Sequence, residues 1–168
     1  RSLKTAVNIH NPPYNSKNIE ENFAGLLIEY QCENEDELGL RVQTAEKILQ
    51  KSNALNISSG FSSDIYNREK LWKIRKGLYP TVGALRKIGT TVITEDIAVD
   101  IENFADIVDD MKIIFKACGF TDAVTFGHAK DGNLHFVCSV DLETAKGVKN
   151  YESLLDKIGS VTGQLILI

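Results

Sequence analysis

One eleven-residue stretch constrains this chain more than any other: Phe126-Gly127-His128-Ala129-Lys130-Asp131-Gly132-Asn133-Leu134-His135-Phe136. Ala123-Val124-Thr125 precede it and Val137-Cys138-Ser139-Val140 follow. Both flanks are short and rich in β-branched and aromatic residues, which favour strands. Asp-Gly between such flanks is the strongest local signal for a two-residue hairpin turn, because a type I′ turn needs positive φ at both central positions. With Asp131-Gly132 at the tip, Lys130 faces Asn133, Ala129 faces Leu134 and His128 faces His135. Opposed residues on one face of an antiparallel pair have Cβ atoms about 4.5–5.5 Å apart. Two imidazoles held so can share a metal ion or present two proton carriers to a substrate. A plain polar cross-strand contact remains the alternative.

The rest of the chain reads as interleaved strands and helices. Residues 1–22 are polar, carry Asn11-Pro12-Pro13 and read as a leader or linker, with His10 solvated. Phe23–Cys32 is apolar and of strand length. Asn34 is a candidate N-cap, with Glu37 completing a box-like start. Leu38, Val42, Ala45, Ile48 and Leu49 then recur at helical spacing over 35–52, and Asn53 can stop the helix. Asn56–Ser63 reads as a second strand. Asn67 is expected to cap the next helix, which Pro80 should end or kink near Tyr79. Thr90–Val99 is the longest β-branched run and reads as a strand. A helix from Asp100 or Ile101 carries the stripe Phe104, Ile107, Val108, Met111, Ile114 and Phe115, with Gly119 at its C′ position. After the hairpin, 143–160 is helical and Gln164–Ile168 strand-like. The order predicts an α+β fold: a ferredoxin-like sandwich with a mixed, mostly antiparallel sheet and helices on one face. His128, Phe126, Val124, His135, Val137 and Ser139 share the other face. That face is partly apolar and expected to meet another domain or subunit.

Composition removes several function classes. The chain of 168 residues has a net charge of −4 and a pI near 5.4. Non-specific nucleic-acid binding rests on a basic face that this balance does not provide. No run approaches the roughly 18 apolar residues of a membrane span. The start lacks a Met and an apolar signal segment, and the chain reads as a piece of something longer. Cys32, Cys118 and Cys138 are widely spaced, with no CxxC pair. Reduced thiols in a cytosolic setting are expected. Two further features could carry chemistry. Arg75, in Trp72-Lys73-Ile74-Arg75-Lys76-Gly77, could hold a carboxylate bidentately, or be a solvated helix arginine. Glu95 and Asp96 are adjacent in a strand and point to opposite faces, so one of them can be turned inward and need a partner.

At Gly127-His128-Ala129-Lys130-Asp131-Gly132-Asn133-Leu134-His135 the chain resembles the G-H-x-G-D-G-N-x-H signature of the C-terminal domain of FAD-linked oxidases. This is the vanillyl-alcohol-oxidase-like family of D-lactate dehydrogenase, glycolate oxidase and D-2-hydroxyglutarate dehydrogenase. The similarity runs from about Ala24 to the end. It includes the strand near Leu26–Tyr30, the Leu71–Gly77 helix and the Thr94–Val99 strand.

The resemblance implies a cap and substrate domain over residues 23–168, working against an N-terminal FAD-binding domain. No flavin-binding residues are assigned in this chain. The implied reaction is oxidation of a D-2-hydroxy acid to the 2-oxo acid, with hydride passing to FAD and electrons onward to an acceptor. His128 and His135 match the catalytic histidines that bind a divalent metal, commonly zinc. Arg75 matches the substrate-carboxylate arginine and Asn133 the signature asparagine, both implied to bind substrate. Thr94 stands where some members carry a substrate lysine. Lys130 replaces a signature glycine, as in long members fused to an iron-sulfur domain. The family's later Glu-His-Gly segment, source of a further metal ligand, is absent, so the piece is expected to be inactive and to bind metal weakly by itself. The implied location is cytoplasmic or peripheral at the inner membrane. Two other readings stay open: a ferredoxin-like binding or dimerisation module, and a metal-dependent hydrolase using the histidines with Glu95 or Asp96.

Overall fold

A computed structural model describes residues 24–52 and 60–162. The leader with His10, the first half of the expected strand Asn56–Ser63, and the strand-like Gln164–Ile168 lie outside the described residues. The chain divides into two compact units, Arg1–Thr81 and Val82–Ile168.

In the first unit, helix α1 spans Glu35–Lys51 and ends at Ser52. Asn34 caps it, its Oδ1 accepting from the Glu37 N–H at 2.8 Å. The box is only half made, because the Glu37 carboxylate accepts instead from Arg41, one turn on, at 2.8 Å. Helix α2 spans Ile65–Leu85. Its start is three residues earlier than expected, because Asp64 and not Asn67 caps it: Asp64 Oδ1 accepts from the Asn67 N–H at 2.8 Å. Pro80 does not end it. The helix continues to Leu85, and the Thr81 hydroxyl donates to the Gly77 carbonyl at 2.6 Å across the proline.

Ala24–Cys32 is not the expected strand; it has no regular secondary structure. A strand needs a ladder partner for its N–H and C=O groups, and this run is anchored by side chains instead. Glu29 Oε1 accepts from Trp72 Nε1 at 3.3 Å and Arg68 Nη2 at 3.4 Å, both on α2. Tyr30 stacks on Phe61 with centroids 5.9 Å apart. Apolarity alone misleads here, for Leu26 is 70% exposed.

The second unit holds the sheet. Strand β1 is Thr91–Ala98, helix α3 Phe104–Ala117, strand β2 Val124–His128, strand β3 Asn133–Val140 and helix α4 Ala145–Thr162; a 3-10 turn over Ile101–Asn103 leads into α3. The strand order is β1-β3-β2, and both pairings are antiparallel. The expected mixed sheet is thus antiparallel throughout among the described residues. Since β1 and β2 both oppose β3, they run parallel on either side of it, joined by α3 in a split β-α-β unit. Residues 60–63, the described part of the expected second strand, have no regular secondary structure.

The fold class is α+β, with α3 and α4 on one sheet face. Leu134, Phe136, Cys138 and Val140 of β3 point alternately to that face and pack with Met111 of α3 and Leu154 of α4. The stripe on α3 buries Ile107, Met111, Ile114 and Phe115. Its end matches the expected cap: the Gly119 N–H donates to Lys116 O at 3.2 Å and the Phe120 N–H to Phe115 O at 2.8 Å.

Ionisable groups also sit in and against this core. Glu95, 7% exposed, faces Phe136 and accepts from the Tyr151 hydroxyl of α4. Burial, then this bond, raises the Tyr151 phenol above its ordinary pKa. Burial, helped by the charges of Asp122 and Glu95, pushes the Cys138 thiol from 9.0 up to about 12. A raised acid pKa means that the folded chain holds its proton more tightly than the unfolded chain. The Cys138 contribution to stability is therefore complete below pH 9 and is lost between pH 9 and about 12, at about 1.4 kcal/mol per pH unit; Tyr151 acts in the same direction. Cys138 should consequently resist a thiol reagent in the native chain and react only as the chain unfolds. Labelling followed across an alkaline melt, read by mass of the Cys138 peptide, checks both effects.

Candidate active site

The two signature histidines lie on the sheet face opposite the one covered by α3 and α4. His128 ends β2 and pairs with Asn133, while His135 pairs with Phe126 on β2 and with Asp96 on β1. The expected direct opposition of His128 and His135 is thereby corrected: the hairpin register is two residues away. The turn is not a two-residue Asp131-Gly132 turn but a four-residue connection, a 3-10 turn over Ala129–Asp131 closed by Gly132 at φ 65°. Asp131 lies in the 3-10 segment, so only the glycine takes the left-handed conformation. A two-residue slip keeps every side chain on its face. His128 and His135 are thus diagonal neighbours, within reach for rings of this size. Their centroids lie 5.6 Å apart with the planes at 90°. Phe126 flanks His135 at 5.6 Å.

Two glycines make this approach feasible. At Gly127 a Cβ would overlap the Asn133 carbonyl oxygen and lie 2.8 Å from Leu134 Cα. At Gly132 it would overlap the Val99 carbonyl oxygen. The Val99 N–H in turn donates to Gly132 O at 2.9 Å, tying the turn to the end of β1.

The acids separate as alternation requires, Glu95 into the core and Asp96 onto the histidine face. Asp96 Oδ1 lies 3.0 Å from His135 Nδ1, the two side chains being 17% and 23% exposed. The same oxygen accepts from Asn133 Nδ2 at 2.5 Å, and that amide also reaches Ile97 O at 3.4 Å. A neutral imidazole whose Nδ1 proton points at a carboxylate keeps its Nε2 lone pair for a metal or a proton.

The sheet therefore brings together His128, His135, Asn133 and Asp96. Thr94 is exposed on the same face, opposite Val137. That face is open at His128 and Thr94 and closed at Val137, which is fully buried. Arg75 is carried by α2 in the first unit, half-buried. The partnership of Asp96 with His135 escaped the sequence reading, because it depends on the long-range pairing of β1 with β3. Glu95 lies across the sheet from the histidines, which removes it from the hydrolase reading.

Zinc takes three protein ligands in catalytic sites and four in structural ones. The histidine pair fits two positions. Among the described residues no group of three His, Cys, Asp or Glu side chains is placed to hold a metal, and Asp96 Oδ1 already faces Nδ1 of His135. These residues do not by themselves make a zinc centre.

Residues 3–166 match the family model described as FAD linked oxidases, C-terminal domain. The chain belongs to this family. As a FAD-linked oxidase C-terminal domain it is similar to D-lactate dehydrogenase [cytochrome], mitochondrial, of Kluyveromyces lactis, with 30% identity over 131 residues, 73% of this chain and 22% of that protein. It is also similar to glycolate oxidase subunit GlcD of Bacillus subtilis, 25% identical over 136 residues, 73% of this chain and 27% of that protein. D-lactate dehydrogenase of Anaerostipes hadrus is 25% identical over 137 residues, 80% of this chain and 27% of that protein. The domain spans about a quarter of the length of these relatives. Among its described residues no helix is long and apolar enough to cross a membrane.

Proposed function

We propose that this chain is the cap and substrate domain, over residues 23–168, of a flavin-dependent enzyme that oxidises a D-2-hydroxy acid of the lactate, glycolate or 2-hydroxyglutarate type to its 2-oxo acid. The observation that carries the reading is the close approach of His128 and His135 on the sheet face opposite α3 and α4, with Asp96 against Nδ1 of the second. Family membership and the printed activities of the relatives support it.

FAD, held by a domain elsewhere in the full-length polypeptide, would supply the hydride acceptor. Oxidation removes the hydroxyl proton and the hydride of the adjacent carbon. His135 Nε2 accepts the proton, and the Asp96 carboxylate stabilises the imidazolium that forms. His128 holds the hydroxyl oxygen. Arg75 is assigned the substrate carboxylate and Thr94 a hydrogen bond to the substrate. Asn133 enters the site through Asp96. A zinc ion belongs to this reading only with a further donor from outside the described residues. Lys130 carries the reading of a parent fused to an iron-sulfur module, active in the cytoplasm or at the inner membrane surface.

Anaerobic addition of D-lactate, glycolate and D-2-hydroxyglutarate to the full-length flavoprotein tests the reaction. One of them should bleach the visible flavin band within the time of turnover. Bleaching by none, with the flavin still reducible by dithionite, overturns the reaction class and favours a binding or dimerisation module.

A further inference from the structure

We propose that Asp96 and Asn133 form a positioning pair for His135, fixing the proton of its neutral ring on Nδ1 and leaving the Nε2 lone pair for the substrate. The inference rests on the function proposed above and assigns the two residues a role within it.

Three observations carry it. First, Asp96 sits directly opposite His135 in the β1–β3 ladder, and its Oδ1 is 3.0 Å from Nδ1. Second, Asn133 is two residues before His135 on β3 and so shares its face. Its amide nitrogen reaches the same Asp96 oxygen at 2.5 Å and the Ile97 carbonyl at 3.4 Å. An amide offers two hydrogens on nitrogen and none on oxygen, so both donors of Asn133 are spent on β1. The reverse orientation would set its carbonyl oxygen against a carboxylate and another carbonyl. Third, the Asp96 and His135 side chains are only 17% and 23% exposed, so the contact is partly shielded from water.

The consequence is chemical. An unbraced neutral histidine is free to carry its proton on Nε2, where it blocks the lone pair. A carboxylate against Nδ1 removes that freedom, and a carboxylate itself held by an amide cannot rotate away. Asn133 thus acts at one remove, through Asp96, and not by touching substrate. The asparagine-x-histidine spacing at the end of the hairpin motif then has a geometric reason: the spacing places brace and ring on one face of one strand.

The test uses the full-length protein with nitrogen-15 in its histidines. The His135 resonances are assigned by their loss in His135→Ala. In the wild type the neutral ring should show the Nδ1–H form. In Asp96→Ala it should move to the Nε2–H form or a mixture, with kcat lowered about 10- to 100-fold and KM nearly unchanged. Asn133→Ala should move the ring in the same direction, to a smaller extent. A folded Asp96→Ala protein that keeps the Nδ1–H form overturns the assignment. If Asp96→Ala does not fold, Asn133→Ala decides by the same signal, and an unmoved ring again overturns it. Failure of the function proposal looks different: His135→Ala would then retain full turnover while the tautomer still responds to Asp96→Ala.

Discussion

Replacing His135 by alanine is expected to lower turnover of the full-length enzyme about 100- to 10,000-fold, the usual contribution of a positioned acid–base group. KM should change little, since the carboxylate of the substrate is assigned to Arg75. The protein should still fold. His135 lies on the partly exposed sheet face, away from the cluster of Phe136, Met111 and Leu154 that holds the second unit together. His128→Ala should also lower turnover. The double variant should fall less than the product of the two single effects, because rings 5.6 Å apart act on one substrate oxygen as a unit. Steady-state kinetics on the three variants, with a thermal melt of each, checks this. Unchanged turnover in His135→Ala would remove the ring from the chemistry.

What could be read from the sequence was what depends on local periodicity. The stripe on α3 needs only its own 3.6-residue repeat, and the structure buries Ile107, Met111, Ile114 and Phe115 as the pattern requires. The faces of β3 follow from alternation, so His135 and Phe136 separate correctly even though the turn was misjudged. That misjudgement has a long-range cause. Asp-Gly alone favours a tight turn, but Gly132 is bonded to Val99 at the end of β1, and the connection opens to four residues to meet it. Likewise, Ala24–Cys32 has the composition of a strand, and no local rule reveals that its anchors are Trp72 and Arg68 and not a ladder. Asp96 was visible as an acid of unknown direction. Only the pairing of β1 with β3 turns it into the partner of His135. The site residues carried by one hairpin were therefore legible, and the residue supplied by a third strand was not.

The largest loss of stability is expected from Gly127→Ala. A Cβ at this position meets backbone on the facing strand, the Asn133 carbonyl oxygen and Leu134 Cα. No rotamer change relieves an overlap with main chain, so β2 must move away from β3. β2 has only five residues, and β3 is the central strand of the sheet. We expect a loss above the 4–5 kcal/mol or so that marks the exceptional single substitution, read as an unfolded or strongly destabilised second unit. Gly132→Ala should follow, costing about 1–2 kcal/mol from the left-handed conformation alone before the overlap with the Val99 carbonyl is added. The control is Gly39→Ala. Gly39 lies inside α1 with nothing within 4 Å of its would-be Cβ, so alanine there should stabilise, by up to about 1 kcal/mol. The opposite signs separate close approach from a general intolerance of side chains. Urea melts of the three variants give the ordering directly. The same clash links stability to chemistry: when β2 swings off β3, His128 leaves His135. A partly folded Gly127→Ala protein should therefore lose turnover even where its helices persist, and full activity in that variant would contradict the paired-histidine site.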